Sequence, residues 1–275
     1  MRTVCRLCPH HCVLEEGQTG RCRGRKNRGG SVVCANYGRL TSVAVDPIEK
    51  KPFRRFHPGR YILSVGSYGC NLRCPFCQNH EISMAGAEIP AEQVSPERLV
   101  ELAMRLTHTA AGNIGVAFTY NEPLISYEYV RDAARLLKKQ GLCTVLVTNG
   151  MIEAEPLQQL LPLVDAMNID LKGFRQSYYD WLGGDFVTVQ HTIAAAVQAC
   201  HVEVTTLIVP GKNDASEDME CEAAWLAELS AELPLHISRF FPRYEAGDIP
   251  ATLEETIERL CRIARRRLKY VYAGN

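Results

Sequence analysis

Cys70-x3-Cys74-x2-Cys77, in the stretch Ser67-Tyr-Gly-Cys-Asn-Leu-Arg-Cys-Pro-Phe-Cys-Gln-Asn79, sets three thiols within eight residues. Three thiolates at this spacing can hold three irons of a [4Fe-4S] cubane and leave the fourth without a protein ligand. An iron left open in this way can take a bidentate small molecule, whereas a four-cysteine electron carrier closes every iron. Structural zinc is the alternative reading, but it usually draws four ligands in two C-x2-C-like pairs.

A second set, Cys5-x2-Cys8-x3-Cys12-x9-Cys22, supplies four thiols in a glycine- and arginine-rich stretch with little helical periodicity. Such a segment buries little core and usually needs a metal to hold it together. Zinc would cross-link it structurally, and an auxiliary iron-sulfur cluster would do so while adding a redox centre. Thiol ligation alone does not separate the two, and the ribbon-like spacing favours zinc. Cys34, His10 and His11 are reserve ligands. Residues 1–58 read as a cysteine-rich metal-binding segment with a linker. Its hairpin is expected from Ser31–Cys34 and Arg39–Val45 around Asn36-Tyr37-Gly38, and Asp46-Pro-Ile-Glu-Lys-Lys-Pro52 and Pro58-Gly59 read as linker turns.

Eight of the twelve cysteines lie before residue 80. This clustering, with no signal-peptide pattern after Met1, favours metal ligation in a reducing, cytoplasmic setting over disulfides. Cys143, Cys200, Cys221 and Cys261 read as ordinary buried cysteines. The 275 residues are 46% hydrophobic and carry no net charge, enough for a sizeable core and without a general pull toward nucleic acid or membrane. No apolar run approaches the roughly 20 residues of a spanning helix. The basic runs Arg21–Arg28 and Arg259–Arg267 read as solvated faces rather than an RNA surface.

The elements that must position the thiols follow from periodicity. From residue 59 to 275, strand candidates at 61–67, 114–119, 143–148, 166–171, 203–209, 235–240 and 270–273 alternate with amphipathic stretches. Ser95-Pro96-Glu97 opens one helix, Gly141 closes another, and Thr252-Leu-Glu-Glu255 reads as a capping box. Repeated strand-helix alternation implies parallel pairing, hence an α/β fold with a partial (β/α)6-type barrel and its chemistry at the C-terminal strand ends. The polar loops fall there: Cys70–Cys77, Phe118-Thr-Tyr-Asn-Glu-Pro123, Thr148-Asn-Gly150, Asn168-Ile-Asp-Leu-Lys-Gly173, Val209–Asp214 and His236–Pro242.

With Phe76 before its third cysteine, the triplet resembles the radical S-adenosylmethionine (SAM) superfamily. Over most of its length the chain is similar to the glycyl-radical (pyruvate formate-lyase) activating-enzyme branch, and it looks most like the radical SAM component of the AmmeMemoRadiSam system. That finer likeness is carried by Cys5-Arg-Leu-Cys-Pro-His-His-Cys12, Asp46–Pro52, Gly69–Asn79, Thr119-Tyr-Asn-Glu-Pro123, Asn168-Ile-Asp-Leu-Lys172 and Ser238-Arg-Phe-Phe-Pro242. The resemblance implies a [4Fe-4S] cluster on Cys70, Cys74 and Cys77. It implies SAM held by Glu122 at the amine, Lys172 at the carboxylate, Asp170 at amine, ribose or a cation, and Phe76 near the adenine. Asn121, Thr148, Asn149 and His236 complete the expected pocket. Taken singly, Glu122 is also a natural turn or helix start, and Asp170 with Lys172 a solvated strand end. The chain departs from the branch at Asn121 in place of a glycine, Val147 in place of an aspartate, Thr205 in place of an arginine and Tyr244 in place of a histidine. The subgroup also implies a C-terminal extension with another cysteine pair, which the sequence as far as Asn275 does not contain.

The expected activity is reductive cleavage of SAM to a 5′-deoxyadenosyl radical that abstracts hydrogen from a protein, a glycyl residue among the candidates, or from a small molecule. A flavodoxin- or ferredoxin-type electron donor is implied, with AMMECR-like and Memo-like proteins as partners. The rival reading is a non-catalytic iron-sulfur or zinc protein for electron transfer or docking.

Overall fold

In Tyr61–Gly66, successive side chains point to opposite faces of the strand. Leu63 and Val65 enter the main core against the helices, while Ile62 enters a second, smaller cluster. The same division separates Val116 and Phe118 from Ala117, Leu146 from Val145, and Met167 and Ile169 from Ala166. Strands buried on both faces belong in a parallel sheet covered on both sides. The computed structural model, which describes residues 1–109 and 112–274, has that sheet.

Its strands are β1 (Ser42–Pro47), β2 (Tyr61–Gly66), β3 (Asn113–Phe118), β4 (Cys143–Thr148), β5 (Ala166–Asp170), β6 (His201–Ile208), β7 (Leu235–Arg239) and β8 (Val271–Gly274). They lie in chain order across one sheet, every pair parallel except the antiparallel β1 and β2. β1 and β8 remain the two edges, so the barrel is partial. All seven expected strands form.

The expected helix ends hold in two cases of three. Ser95 accepts from the Arg98 N–H at 3.2 Å ahead of Pro96–Thr107, and Gly141, at φ 66°, follows Tyr127–Lys139. Thr252 does not cap Glu254–Ala264. Its hydroxyl donates to the Ile208 carbonyl and accepts from the Phe240 N–H at 3.0 Å, tying the ends of β6 and β7 together. Of the scattered cysteines, Cys261 is buried, Cys143 and Cys200 are half-buried, and Cys221 is exposed, contrary to expectation.

The N-terminal region departs further. Ser31–Cys34 pairs with Arg25–Arg28 instead of Arg39–Val45. Gly29 and Gly30 both take positive φ, the two-residue turn whose twist suits a hairpin. The Asn36 amide meanwhile reaches the Tyr68 carbonyl at 3.0 Å. The remainder of the expected second strand divides, Arg39–Leu40 pairing with Glu92–Gln93 and Ser42–Pro47 becoming β1. Residues 46–56 are not a linker either. They fold back beneath the sheet, where Ile48 and fully buried Phe53 pack on Ile62, Ala117, Val145 and Ala166. Asn168 donates to the Pro52 carbonyl at 2.8 Å, and Lys51 pairs with Asp46 at 2.8 Å. This segment is the floor of the barrel.

Candidate active site

The C-terminal strand ends open on a cavity of about 640 Å³, within the usual size of a ligand pocket. Cys70, Cys74, Cys77, Phe76, Asn121, Glu122, Thr148, Asn149, Asp170, Lys172 and His236 all line it. Residues from five segments of the chain thus meet at one place.

The cysteine loop is held by amides. Asn121 accepts from the Ser67 N–H at 2.9 Å and donates to the carbonyls of Tyr68 and Gly69 at 3.2 and 3.0 Å. Asn121, one of the four departures from the activating-enzyme pattern, therefore clamps the start of the loop, with its carboxamide engaged by backbone. Asn71 donates to the Met151 carbonyl at 2.7 Å and accepts from Asn149 at 2.9 Å. Asn149 and the Leu72 N–H also stand 3.6 and 3.4 Å from the Cys70 sulfur.

Burial, then the nearby Glu122 and Cys74, push the Cys70 thiol well above its usual range. Burial likewise raises Cys74 to about 12, although Lys172 opposes it. Thiols this buried become thiolates when a cation takes the proton's place, the circumstance of metal ligation. Donors aimed at Cys70 and the Lys172 ammonium near Cys74 suit sulfur ligands carrying negative charge. The residues therefore fit an iron-sulfur cluster. As placed, no three His, Cys, Asp or Glu side chains among the described residues could hold an ion.

Lys172 pairs with Asp170 at 2.8 Å. Burial would lower its pKa, but Asp170 and the thiols of Cys74 and Cys77 hold it above the usual lysine range. The pair is a partly buried cavity wall and not a solvated strand end. Glu122 is both a cap and a wall. One oxygen accepts from the Leu124 N–H at 2.9 Å and the Thr148 hydroxyl at 2.6 Å, the other from the Asn149 N–H at 2.8 Å. Burial raises its pKa to about 7 against these three donors. A carboxylate has about four lone-pair sites, so Glu122 keeps room for one further donor from the cavity. Phe76 is buried against Trp181 and Phe240, with centroids at 5.6 and 6.3 Å.

Sequence reasoning missed Glu203. It is fully buried on β6, bonded to His236 Nε2 at 2.6 Å and His201 Nε2 at 3.0 Å. It also accepts the Arg54 and Arg55 N–H groups at 2.9 and 2.8 Å. Burial alone would raise its pKa, but these donors bring it to about 2. The available signal was an acidic residue among the strand's apolar positions, Val202-Glu203-Val204. A second missed group is Asp46, Lys51 and Tyr120. The Tyr120 backbone is left-handed at φ 70°, its hydroxyl donates to Asp46 at 2.9 Å, and Lys51 lies 4.7 Å over its ring. At the other departures, Val147 lines the wall, Thr205 donates to Asn168 at 2.8 Å, and Tyr244 stacks on His80 at 4.4 Å.

Cys5, Cys8, Cys12 and Cys22 line a separate void of about 10 Å³. The reserve ligands have other contacts: His10 with the Asn71 carbonyl at 2.7 Å, His11 with Glu153 at 3.0 Å, and Cys34 with Asn36 at 3.1 Å. Several of the basic-run arginines are engaged internally, among them Arg25 by Glu128, Arg259 by Ser216 and Arg265 by the Val271 carbonyl.

A family model described as the radical SAM superfamily matches residues 64–220. The chain is 41% identical to "Uncharacterized protein MJ0808" of Methanocaldococcus jannaschii, across 98% of its own length and 80% of that protein's. It is 30% identical to the pyruvate formate-lyase 1-activating enzyme of Escherichia coli K12, across 53% of this chain and 60% of that enzyme. Among solved structures, a radical SAM methyltransferase from Sphaerobacter thermophilus superposes with TM-score 0.57 at 18% identity, covering 79% of this chain and 67% of the other. A domain of the pyruvate-formate lyase-activating enzyme from Bacteroides vulgatus gives 0.52 at 17%, covering 58% and 99%.

Proposed function

This chain belongs to the radical SAM superfamily, and we propose that it is an enzyme binding a [4Fe-4S] cluster on Cys70, Cys74 and Cys77, with SAM beside it. The observation that carries this reading is the convergence of the three thiols with Asp170, Lys172 and Phe76 on one cavity. When bound, the cluster and SAM supply reductive cleavage to methionine and a 5′-deoxyadenosyl radical, which takes hydrogen from a substrate C–H bond. The chain's own contribution is binding, orientation and exclusion of water. Lys172 offers an ammonium to a carboxylate, Asp170 accepts from an amine or ribose hydroxyl, and Glu122 takes one further donor. Asn149 fixes the Cys70 loop and its sulfur. Glu203 orients His236 in the cavity wall.

Likeness to activating enzymes over half the chain supports a protein substrate, a glycyl residue among the candidates, with a small molecule as the alternative. The motifs Cys5–Cys12 and Asp46–Pro52 support the AmmeMemoRadiSam subgroup, with AMMECR-like and Memo-like partners, a flavodoxin- or ferredoxin-type donor and a cytoplasmic location. Anaerobically reconstituted protein with reductant is expected to turn SAM into 5′-deoxyadenosine, and Cys74→Ala is not. Absence of cleavage by wild type with its cluster confirmed spectroscopically would refute the reading. It would leave the rival, a non-catalytic iron-sulfur or zinc protein. Deuterium passing from a labelled candidate into 5′-deoxyadenosine identifies the substrate.

A further inference from the structure

The N-terminal cysteines are carried on two backbone turns. The Cys5 N–H donates to the Cys12 carbonyl at 2.9 Å and the His11 N–H to the Cys8 carbonyl at 3.1 Å, which brings the first three cysteines together. The Arg23 N–H donates to the Gly20 carbonyl at 2.9 Å, closing the turn that carries Cys22. A Cβ on Gly20 would be in ordinary contact with Cys12, 3.7 Å from the sulfur. Cys5, Cys8 and Cys22 are buried, and all four cysteines border the same void.

The two cysteine sets differ in room. The void among Cys5, Cys8, Cys12 and Cys22, about 10 Å³, holds roughly one water-sized sphere. Cys70, Cys74 and Cys77 open instead on about 640 Å³. The smaller space is closer in size to a single ion than to a four-iron cubane, and the four sulfurs must converge on it before either could bind. Four sulfurs around one ion is the closed tetrahedral arrangement of structural zinc. Four thiolates on a divalent ion leave an excess of two negative charges; the buried Arg25 guanidinium borders the same void, with its charge already paired to Glu128. The surrounding elements are the two-stranded pairs Thr3–Val4 with Val13–Leu14 and Arg25–Arg28 with Ser31–Cys34, which are marginal without a cross-link.

This unit touches the loop of the active-site cysteines directly. Gly69, next to Cys70, has φ 87°, and a Cβ there would lie 2.3 Å from the Cys22 carbonyl oxygen. His10 meets the Asn71 carbonyl at 2.7 Å, and the Glu153 N–H donates to the Leu7 carbonyl at 2.9 Å. We infer that Cys5, Cys8, Cys12 and Cys22 bind one structural zinc ion, and that this ion braces the backbone of the Cys70 loop from behind. The zinc site stands independently of the proposed activity, whereas the bracing role rests on iron binding at Cys70, Cys74 and Cys77.

The test counts metals in full-length protein purified without oxygen and reads zinc ligation by X-ray absorption. One zinc per chain with four sulfurs at about 2.3 Å is expected in wild type. The same is expected in Cys70→Ala/Cys74→Ala/Cys77→Ala, which should hold no iron. Iron, or no metal, in that triple variant would overturn the zinc site without bearing on the activity. Cys8→Ser/Cys22→Ser should lose zinc and keep the capacity for iron at Cys70. If that variant does not fold, stripping zinc from wild type with a chelator replaces it. In either preparation iron should leave the remaining cluster about 10-fold faster or more, the scale of a lost supporting contact. An unchanged rate of iron release would overturn the bracing role.

Discussion

Glu203→Gln is the perturbation for which the structure yields a magnitude. The carboxylate is fully buried and receives His201, His236 and the backbone N–H groups of Arg54 and Arg55. These donors lower its pKa from 4.5 to about 2. A group whose pKa falls on folding stabilises the fold above its unfolded value and loses that contribution as pH drops toward the folded value. At 1.36 kcal/mol per unit, the carboxylate contributes about 3 kcal/mol at neutral pH. Glutamine keeps one acceptor oxygen but turns an NH₂ toward donors, so a loss of about 2–4 kcal/mol is expected at pH 7. With a urea slope of about 2–3 kcal/mol per molar, the unfolding midpoint should fall by about 1 M or more. The same variant frees residues 54 and 55 from β6, so trypsin should cut after Arg54 or Arg55 markedly faster than in wild type while cleavage elsewhere keeps its order. A midpoint shift equivalent to less than about 1 kcal/mol, with unchanged cleavage, would refute the view that Glu203 anchors the barrel floor.

Phe53→Ala should open a cavity on that floor and cost about 3–5 kcal/mol, read as a urea midpoint; a loss under about 1 kcal/mol would mean the 46–56 segment is not core. Glu122 provides the opposite pH dependence. Burial raises its pKa from 4.5 to about 7, so in cofactor-free protein its contribution is complete below about pH 4.5 and is lost as pH rises toward 7. Melting temperatures across that window should decline in wild type, and the decline should shrink in Glu122→Gln. Lys172→Ala should leave iron content intact and weaken SAM binding about 10- to 100-fold, as expected for a lost charged hydrogen bond, measured by equilibrium dialysis; unchanged affinity would remove Lys172 from the pocket.

Most of the framework was legible in advance because its signals are local. β2 to β8 follow from β-branched runs between turn residues, and Ser95 and Gly141 end helices through their own short-range geometry. The N-terminal hairpin was misread because two glycine-bearing turns competed. Gly29-Gly30 has the backbone freedom for a two-residue hairpin, while Asn36 is drawn to Tyr68 far along the chain. Thr252 was misread for a similar reason, since a capping-box pattern does not reveal that the hydroxyl has stronger partners on β6 and β7.

Spacing along the chain singled out the two cysteine sets, because sets eight and eighteen residues long are already close in sequence. The repeated alternation of strand and helix likewise determined the parallel pairing, and with it the face where polar loops collect. What only the tertiary structure decided is how those loops support one another. Asn121 holds the cysteine loop, Glu122 is shared between a cap and the cavity wall, and Glu203 joins the barrel floor to His236 across nearly 150 residues. Such roles depend on which buried donors face a given acceptor, and that pairing exists only once burial has removed water as the competing partner.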